Sequence, residues 1–476
     1  MLKRPLIIIP CVILLLTLTW LFGYGSRRSS FGHILQHSDT ASPLPEAFSS
    51  SGTPKSLQEA QIGKPADRVL SSAKGGPLSD EGDDYGDYRS IVSLSSTNGQ
   101  YYLIDTRGVI SYNGNLVPHP SQPETWIAAA THIEESGASA VSCTVSVASG
   151  ALLCRQPAEP LPLKEGIKGQ CTGRKADILN NLSGPRDIRL IWGPQIPYVV
   201  YSSHSQWACM GVWMQDARFI LEAYKAPLYS HDQQSLAQPR EIQRPRGFPY
   251  TRGRFDKNYF LFWDNENTMY VHYDIWPRRS YARLFFDGTV GEDLGPVVAK
   301  ADHDCLIKRM PDVHRIKDPS HKEMIHQASN SLALTMCNRN DRDCRPSPEN
   351  TYIINVFHRQ KIINGDHPIY QPHVALFQQK SPFALFAITQ KPLWIWGRGA
   401  LTKDSGAVKY LSRPDKIPQN QTEMFYVTSI AWKNSNQTYH GFLDDPLWIN
   451  FGKEGTSAKG KPSSSALSNR PAQAPC

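Results

Sequence analysis

An all-β fold, a β-propeller of roughly five four-stranded blades, is the architecture this sequence predicts. Short runs rich in Val, Ile, Tyr, Phe and Trp recur from Tyr88 onward: "YYLIDTRGVISYNG", "SCTVSVASGALLC", "IRLIWGPQIPYVVYSS", "YFLFWDNENTMYVHYDI", "NTYIINVFHRQKI" and "ALFAITQKPLWIWGRG". Gly, Pro, Asn and Asp separate them, which is the strand-and-hairpin pattern. Helical periodicity is scarce, with "SQPETWIAAATHIEESG" (121–137) the best candidate. Length supplies the third observation. The residues from Tyr88 to Gly455 outrun an ordinary sandwich and suit a propeller.

The N-terminus reads differently. Lys3 and Arg4 precede an apolar run from Leu6 to Tyr24, and Arg27 and Arg28 follow it. That run is long enough for a membrane span, and Trp20, Phe22 and Tyr24 suit an interfacial belt. No small-residue cleavage site precedes the polar region, so residues 1–25 are expected to be a signal anchor rather than a cleaved leader. Residues 26–87 are poor in aromatics and rich in Ser, Gly, Pro, Asp and Lys, the composition of a disordered stem. Residues 88–455 form the expected propeller domain, placed in the lumen by a single-pass type II topology. The tail 456–476, "TSAKGKPSSSALSNRPAQAPC" from Thr456, is expected to be disordered.

Cysteine usage agrees with the secretory pathway. Cys143–Cys154 and Cys337–Cys344 have the spacing of local loop staples, and neither pair has metal-site spacing. Asn181, Asn420 and Asn436 stand in glycosylation sequons. The net charge of +8 is scattered among acids and aromatics, so nucleic acid is not expected as a partner. "DRD" (341–343) and "DHD" (302–304) are weak metal patterns, and neither a metal nor a cofactor is expected.

Four stretches carry chemistry beyond strand formation. "SGPRDIRLIWG" places Asp187 and Arg189 at a strand start, and "VWMQDARF" holds Asp216 and Arg218. "FDKNYFLFW" presents Asp256, Lys257 and Asn258, and the next strand carries His272 and Asp274. "IHQASNSLALTMC" and "YQPHVALF" bring His326, Gln327, Tyr370 and His373. Arg398 in "WIWGRG" and the stretch "YHGFLDDPLWINFG", with His440, Asp444 and Asp445, complete the set. In a propeller, inner strands aim such groups at the axis. Carboxylates and Arg or Lys pair with vicinal hydroxyls, and aromatics cover apolar sugar faces. Taken singly, each Asp-x-Arg pair also suits a salt bridge or a turn cap, and the adjacent aspartates suit a turn.

At these residues the chain resembles five-bladed propeller carbohydrate-active proteins: the β-mannoside phosphorylases and hydrolases, and the membrane-anchored fungal β-mannosyltransferases. "GPRDIR" is similar to their Gly-x-Glu-Asp-Pro-Arg motif, "FDKNYFLF" to their Glu-Lys-Asn-Trp-x-x-Phe motif, and "YHGFLDDPLWINFG" to their closing strand pair. Arg186 and Ile188 replace Glu and Pro, Asp256 replaces Glu, and "YVVYSSHS" lacks the aspartate usual in the phosphorylases. These departures weigh against phosphorolysis. With the anchor and stem, the resemblance implies a Golgi-type glycosyltransferase moving a hexose such as mannose from a nucleotide sugar to a glycan acceptor. Asp187, Asp216 and Asp444 are its candidate catalytic carboxylates. Arg189, Arg218, Asp256, Lys257, Asn258, His326, Gln327, His373, Arg398, His440 and Asp445 are its candidate substrate contacts. A hydrolase or phosphorylase of mannosides and a non-catalytic glycan-binding protein are the alternatives.

Overall fold

The computed structural model describes residues 88–453, apart from 135–136, 167–170, 174–175, 226–235, 249–254, 312, 314–322, 364–366 and 399–423, and residues 464–469. The chain divides into Met1–Leu57 and Gln58–Cys476, and every described residue belongs to the second unit. The expected anchor and stem, the Asn420 sequon and most of the tail lie outside the described residues. Among the described residues no helix is long and apolar enough to cross a membrane.

The chain enters through β1 (Arg89–Ile91) and builds a first sheet from β2 (Tyr102–Asp105), β3 (Ser111–Pro118), β4 (Trp126–Glu134), β5 (Gly137–Ala148), β6 (Ala151–Cys154) and β7 (Glu159–Leu161). Helix α1 (Ala176–Asn180) leads to a second sheet of β8 (Arg186–Trp192), β9 (Pro197–His204), β10 (Met210–Asp216) and β11 (Arg240–Glu241). The third holds β12 (Phe260–Trp263), β13 (Met269–Asp274) and β14 (Ser280–Arg283). Helix α2 (Gly295–Arg309) follows, then a fourth sheet of β15 (Glu323–Thr335), β16 (Thr351–Ile363), β17 (His367–Gln378) and β18 (Leu385–Ile388). Strand β19 (Leu393–Ile395) pairs in parallel with β1, and β20 (Phe425–Trp432), β21 (His440–Phe442), β22 (Leu447–Lys453) and β23 (Ser464–Asn469) close the chain.

This is an all-β propeller. Its described sheets of three or more strands number four, not the five blades expected. The closing strands do not stand apart, because β23 pairs with β22 on one side and β2 on the other. One continuous sheet therefore runs β20-β22-β23-β2-β6-β5-β4-β3. Ser464–Asn469 lies in the tail expected to be disordered; backbone pairing along both edges makes it a strand despite its composition.

Side chains tie neighbouring inner strands together around the axis. Asn115 of β3 donates to Ile188 O at 2.7 Å and accepts from Leu190 N of β8. Ser331 of β15 donates to Leu261 O of β12 at 2.6 Å, and Thr428 of β20 to Gly114 O of β3 at 2.7 Å. Asn330 clamps β15 to β20, donating to Ile430 O and accepting from Ile430 N, both at 2.9 Å. Asn330 is buried, so its removal strands two backbone groups without water. Asn330→Ala should cost about 2–4 kcal/mol by the usual penalty for unsatisfied buried groups. Urea titration would measure this, and a loss below about 0.5 kcal/mol would show that the clamp is dispensable.

The helix expectation reverses. The described residues of 121–137 form no helix; the apolar part is β4, paired on both edges by β3 and β5 and buried on both faces from Trp126 to Thr131. The principal described helix is α2, whose buried positions Gly295, Val298, Asp302, Cys305 and Leu306 have helical spacing. Asp302 occupies a core position there and interrupts the apolar stripe.

Disulfides join Cys143–Cys154 and Cys337–Cys344, as their spacing suggests, and also Cys171–Cys209. The described sequon residues Asn181 and Asn436 are both exposed.

Candidate functional site: an axial cleft with two lobes

The inner strands do not run straight through the axis. Register shifts interrupt β3 between Tyr112 and Asn115, β8 between Arg186 and Arg189, β15 between Gln327 and Ser331, and β20 between Val427 and Ser429. Bulges re-aim side chains. Three non-glycine residues near this level have left-handed backbones: Asn113 (φ 54°), Asp187 (φ 50°) and Asn258 (φ 60°). Such backbones cost of order 1–3 kcal/mol each and persist only where the surroundings impose them.

All three face one cavity of about 280 Å³, with Tyr112, Lys257, Tyr370, Tyr426 and Lys453 among its walls. A second lobe of about 480 Å³ shares Lys257, Asn258, Tyr370 and Tyr426 and adds Asp256, Asp274, His326 and Gln327.

Asp187 accepts a hydrogen bond from Asn113 Nδ2 at 2.9 Å, and no described cation lies within ion-pairing distance of it. Arg189 is buried beneath Asn258 and donates Nη2 to Asn258 Oδ1 at 2.9 Å. Asn258 Nδ2 donates to Tyr426 OH at 3.0 Å. Burial pushes the Tyr426 phenol up to about 12. Tyr112 also rises to about 12, through burial and then the charge of Asp187. Burial, followed by the charges of Lys257 and Arg189, pushes His326 down to about 4, so its imidazole is neutral near pH 7.

Gln327 lines the second lobe but is engaged in the frame. It donates Nε2 to Asn258 O at 2.6 Å and to His272 O and Tyr273 O at 2.9 and 3.0 Å. Its Oε1 accepts from His272 Nδ1 at 2.7 Å. The opposite nitrogen, His272 Nε2, accepts from Arg279 Nε at 3.0 Å, which fixes the tautomer. Asp256 is locked too, against Arg244 Nη2 at 3.1 Å, and Asp274 takes Arg244 Nη1 at 3.2 Å.

Several expected site residues lie elsewhere. Asp216 is fully buried, caps a 3-10 turn at Arg218 N and grips the Arg218 guanidinium through both oxygens, so this pair is a structural ion pair. Asp444 and Asp445 form the turn cap that their sequence position also allowed. Asp444 Oδ1 accepts from Arg339 N at 2.8 Å. Asp445 receives Arg339 Nε at 2.9 Å and Nη2 at 2.5 Å, Gln437 Nε2 at 2.5 Å and Phe442 N at 2.7 Å. Both sit by β21, which pairs with the far end of β15, about 20 Å of strand from His326. His440 bonds Thr335 Oγ1 at 2.7 Å at that same end. His373 is buried behind the cleft, bonded through Nδ1 to Thr389 O at 2.9 Å. Arg398 is buried over the rings of Trp394 and Phe425.

The two acid-rich patterns are also placed. Asp302 of "DHD" pairs with Arg279 at 3.0 Å, and Asp341 of "DRD" accepts from Asn338 N in a turn. Among the described residues no cluster of His, Cys, Asp or Glu could hold a metal ion.

Asn113 and Tyr426 were not anticipated. The Asn-Gly pair at 113–114 inside a strand-like run was the available signal for a bulge. Tyr426 sits in an ordinary apolar strand and gave none.

The buried imidazoles make stability pH-dependent. His272, His358 and His373 are all held below the ordinary value by burial, His373 at about 4. In the unfolded chain they protonate below about pH 6.5. The unfolded state then binds more protons, so stability falls as pH drops from about 6.5 toward 4. Melting temperature should be flat above pH 7 and decline through this window. Glu241 opposes this trend, because burial raises its carboxyl to about 7 and the folded state then takes up a proton in the same window. In Glu241→Gln, an unchanged melting temperature from pH 7 to 4.5 would contradict the neutral, buried assignment.

Strand order and axial cleft together define the class: an all-β propeller with a polar, aromatic-walled cleft at its axis. No protein-family profile and no curated protein matches the sequence. Among solved structures, the chain is similar to a glycosyl hydrolase from Bacteroides ovatus, at 8% identity and TM-score 0.42, covering 84% of this chain and 99% of that one. It is similar to an α-L-arabinofuranosidase from Podospora anserina in complex with cellotriose, at 10% identity and TM-score 0.36, covering 80% and 99%. A GH62 hydrolase in complex with xylotriose follows at 8% identity and TM-score 0.34, covering 79% and 99%. Likeness at this level does not establish an activity, and the propeller assignment rests on the strand order and register above.

Proposed function

We propose that this protein binds an oligosaccharide in the two-lobed cleft and hydrolyses a glycosidic bond there. The observation that carries the reading is Asp187. It is a cleft carboxylate at a left-handed backbone position, in no ion pair within 4 Å among the described residues, and faces the same cavity as Lys257, Asn258, Tyr370 and Tyr426. Amide, phenol and ammonium donors of this kind recognise vicinal hydroxyls, and the phenol rings offer faces for sugar rings. An unpaired carboxylate suits the base that activates water.

Hydrolysis ordinarily uses two carboxylates flanking the scissile bond. Asp256 and Asp274, on the second lobe, are the other cleft carboxylates, and both pair with Arg244. That hold on Asp256 favours a second reading, glycan binding without turnover. Transfer from a nucleotide sugar, the first reading of the sequence, is the outcome the test below is built to separate from hydrolysis. Membrane anchoring and a Golgi location remain proposals from the sequence.

The test is incubation of the full chain with mannan-, xylan- and glucan-type oligosaccharides, in water and with nucleotide sugars, followed by product mass. Shortened products in water support hydrolysis. Saturable binding with unchanged glycans moves the assignment to the binding protein. Acceptors heavier by one hexose, only with a donor present, would reinstate transfer.

A further inference from the structure

We propose that the first lobe seats an acidic sugar, whose exocyclic oxyanion lies against Lys257 with the Arg189–Asn258 pair beneath it. This rests on the glycan reading above and names the substrate class of that site.

The charges around Asn258 are uneven. Lys257 is exposed and lines both lobes, and its Nζ lies over the face of Phe255, at 5.7 Å from the ring centroid. No carboxylate among the described residues lies within ion-pairing distance of it. Arg189 is 6% exposed and makes no ion pair within 4 Å among the described residues; burial pushes its guanidinium below the ordinary value, and the Tyr426 phenol and the more distant charge of Asp187 only partly oppose this. Lys453 adds a third cation at the wall. Asp187 is the lobe's carboxylate; it accepts from the Asn113 amide and acts on Arg189 only at longer range.

The buried Arg189 guanidinium has given up hydration that a distant Asp187 does not restore, and an anion brought by the ligand would offset that cost, while the exposed Lys257 offers a charge-assisted donor without a burial penalty. Bonds from ammonium or guanidinium to an oxyanion are about twice as strong as neutral ones. The second lobe is different. There Arg244 already holds Asp256 and Asp274, which leaves it suited to a neutral sugar. The cleft therefore has a direction, with the acidic residue in the first lobe and a neutral one in the second.

Carboxylate, sulfate ester and phosphate ester share this chemistry, and the experiment separates them. The full chain is titrated calorimetrically with neutral oligosaccharides and with length-matched ones carrying a single glucuronate, sulfate ester or phosphate ester. The acidic class should bind about tenfold tighter, the value of one added charge-assisted contact. The class that binds tightest identifies the oxyanion. The preference should vanish in Lys257→Gln and shrink in about 0.5 M salt. Asp187→Asn should strengthen acidic binding, since it removes the opposing charge. Equal affinity for neutral and acidic glycans, or a preference unchanged in Lys257→Gln, would overturn the acidic assignment and leave the glycan reading standing. Failure to bind any glycan removes both.

Discussion

Asp187→Asn should lower turnover on a cleavable oligosaccharide by about 10²–10⁴-fold, the usual contribution of a positioned base. The melting temperature should hardly move. Asparagine keeps an acceptor for Asn113 Nδ2 and is among the residues that tolerate the left-handed backbone at φ 50°. Loss of activity without loss of fold is therefore expected from this variant. The contrasting substitution is Asp444→Ala. By sequence it was an equal candidate, but it belongs to the turn that meets Arg339 at the far end of β15. Its turnover should match the parent protein. Activity retained in Asp187→Asn and lost in Asp444→Ala would move the site to the opposite end of the propeller.

Arg279→Met should be the most destabilising of these changes. The guanidinium is buried, pairs with Asp302 of α2 at 3.0 Å, donates to Phe383 O at 2.5 Å and lies 4.0 Å over the Phe377 ring. Removing it leaves Asp302 as an uncompensated buried charge, a loss of about 3–5 kcal/mol. The same guanidinium fixes the His272 tautomer, through which Gln327 holds the Asn258 carbonyl. Sugar affinity should therefore weaken even at temperatures where the variant stays folded. Arg279→Met with Asp302→Leu should recover much of the stability, because the stranded charge is gone, but not the affinity. Chemical denaturation and calorimetric binding would separate the two effects. Recovery of both would mean that the relay through His272 has no bearing on the cleft.

Local pattern carried a good part of this structure. Alternating β-branched and aromatic runs with turn residues between them are enough to read an all-β chain, because strand pairing depends on that alternation. The spacings of Cys143–Cys154 and Cys337–Cys344 were likewise local. "GPRDIR" and "FDKN" carry Asp187, Arg189, Lys257 and Asn258, at the start of β8 and just ahead of β12, and the structure brings these four together around Asn258.

The equivalence of the remaining acids could not be resolved that way. Asp187, Asp216 and Asp444 look alike in sequence: each is an aspartate beside a strand, with an arginine or a second acid nearby. Partners distant in the chain separate them, Arg339 for the Asp444–Asp445 turn and Asn113 for Asp187. The number of sheets was also a long-range matter, decided by β23 pairing with a strand more than 300 residues earlier. By itself the sequence determined the strand-rich class and the polar groups that begin the inner strands. Only the tertiary structure decided which of them share a cavity, because bulges and ring closure bring together residues that no local window contains.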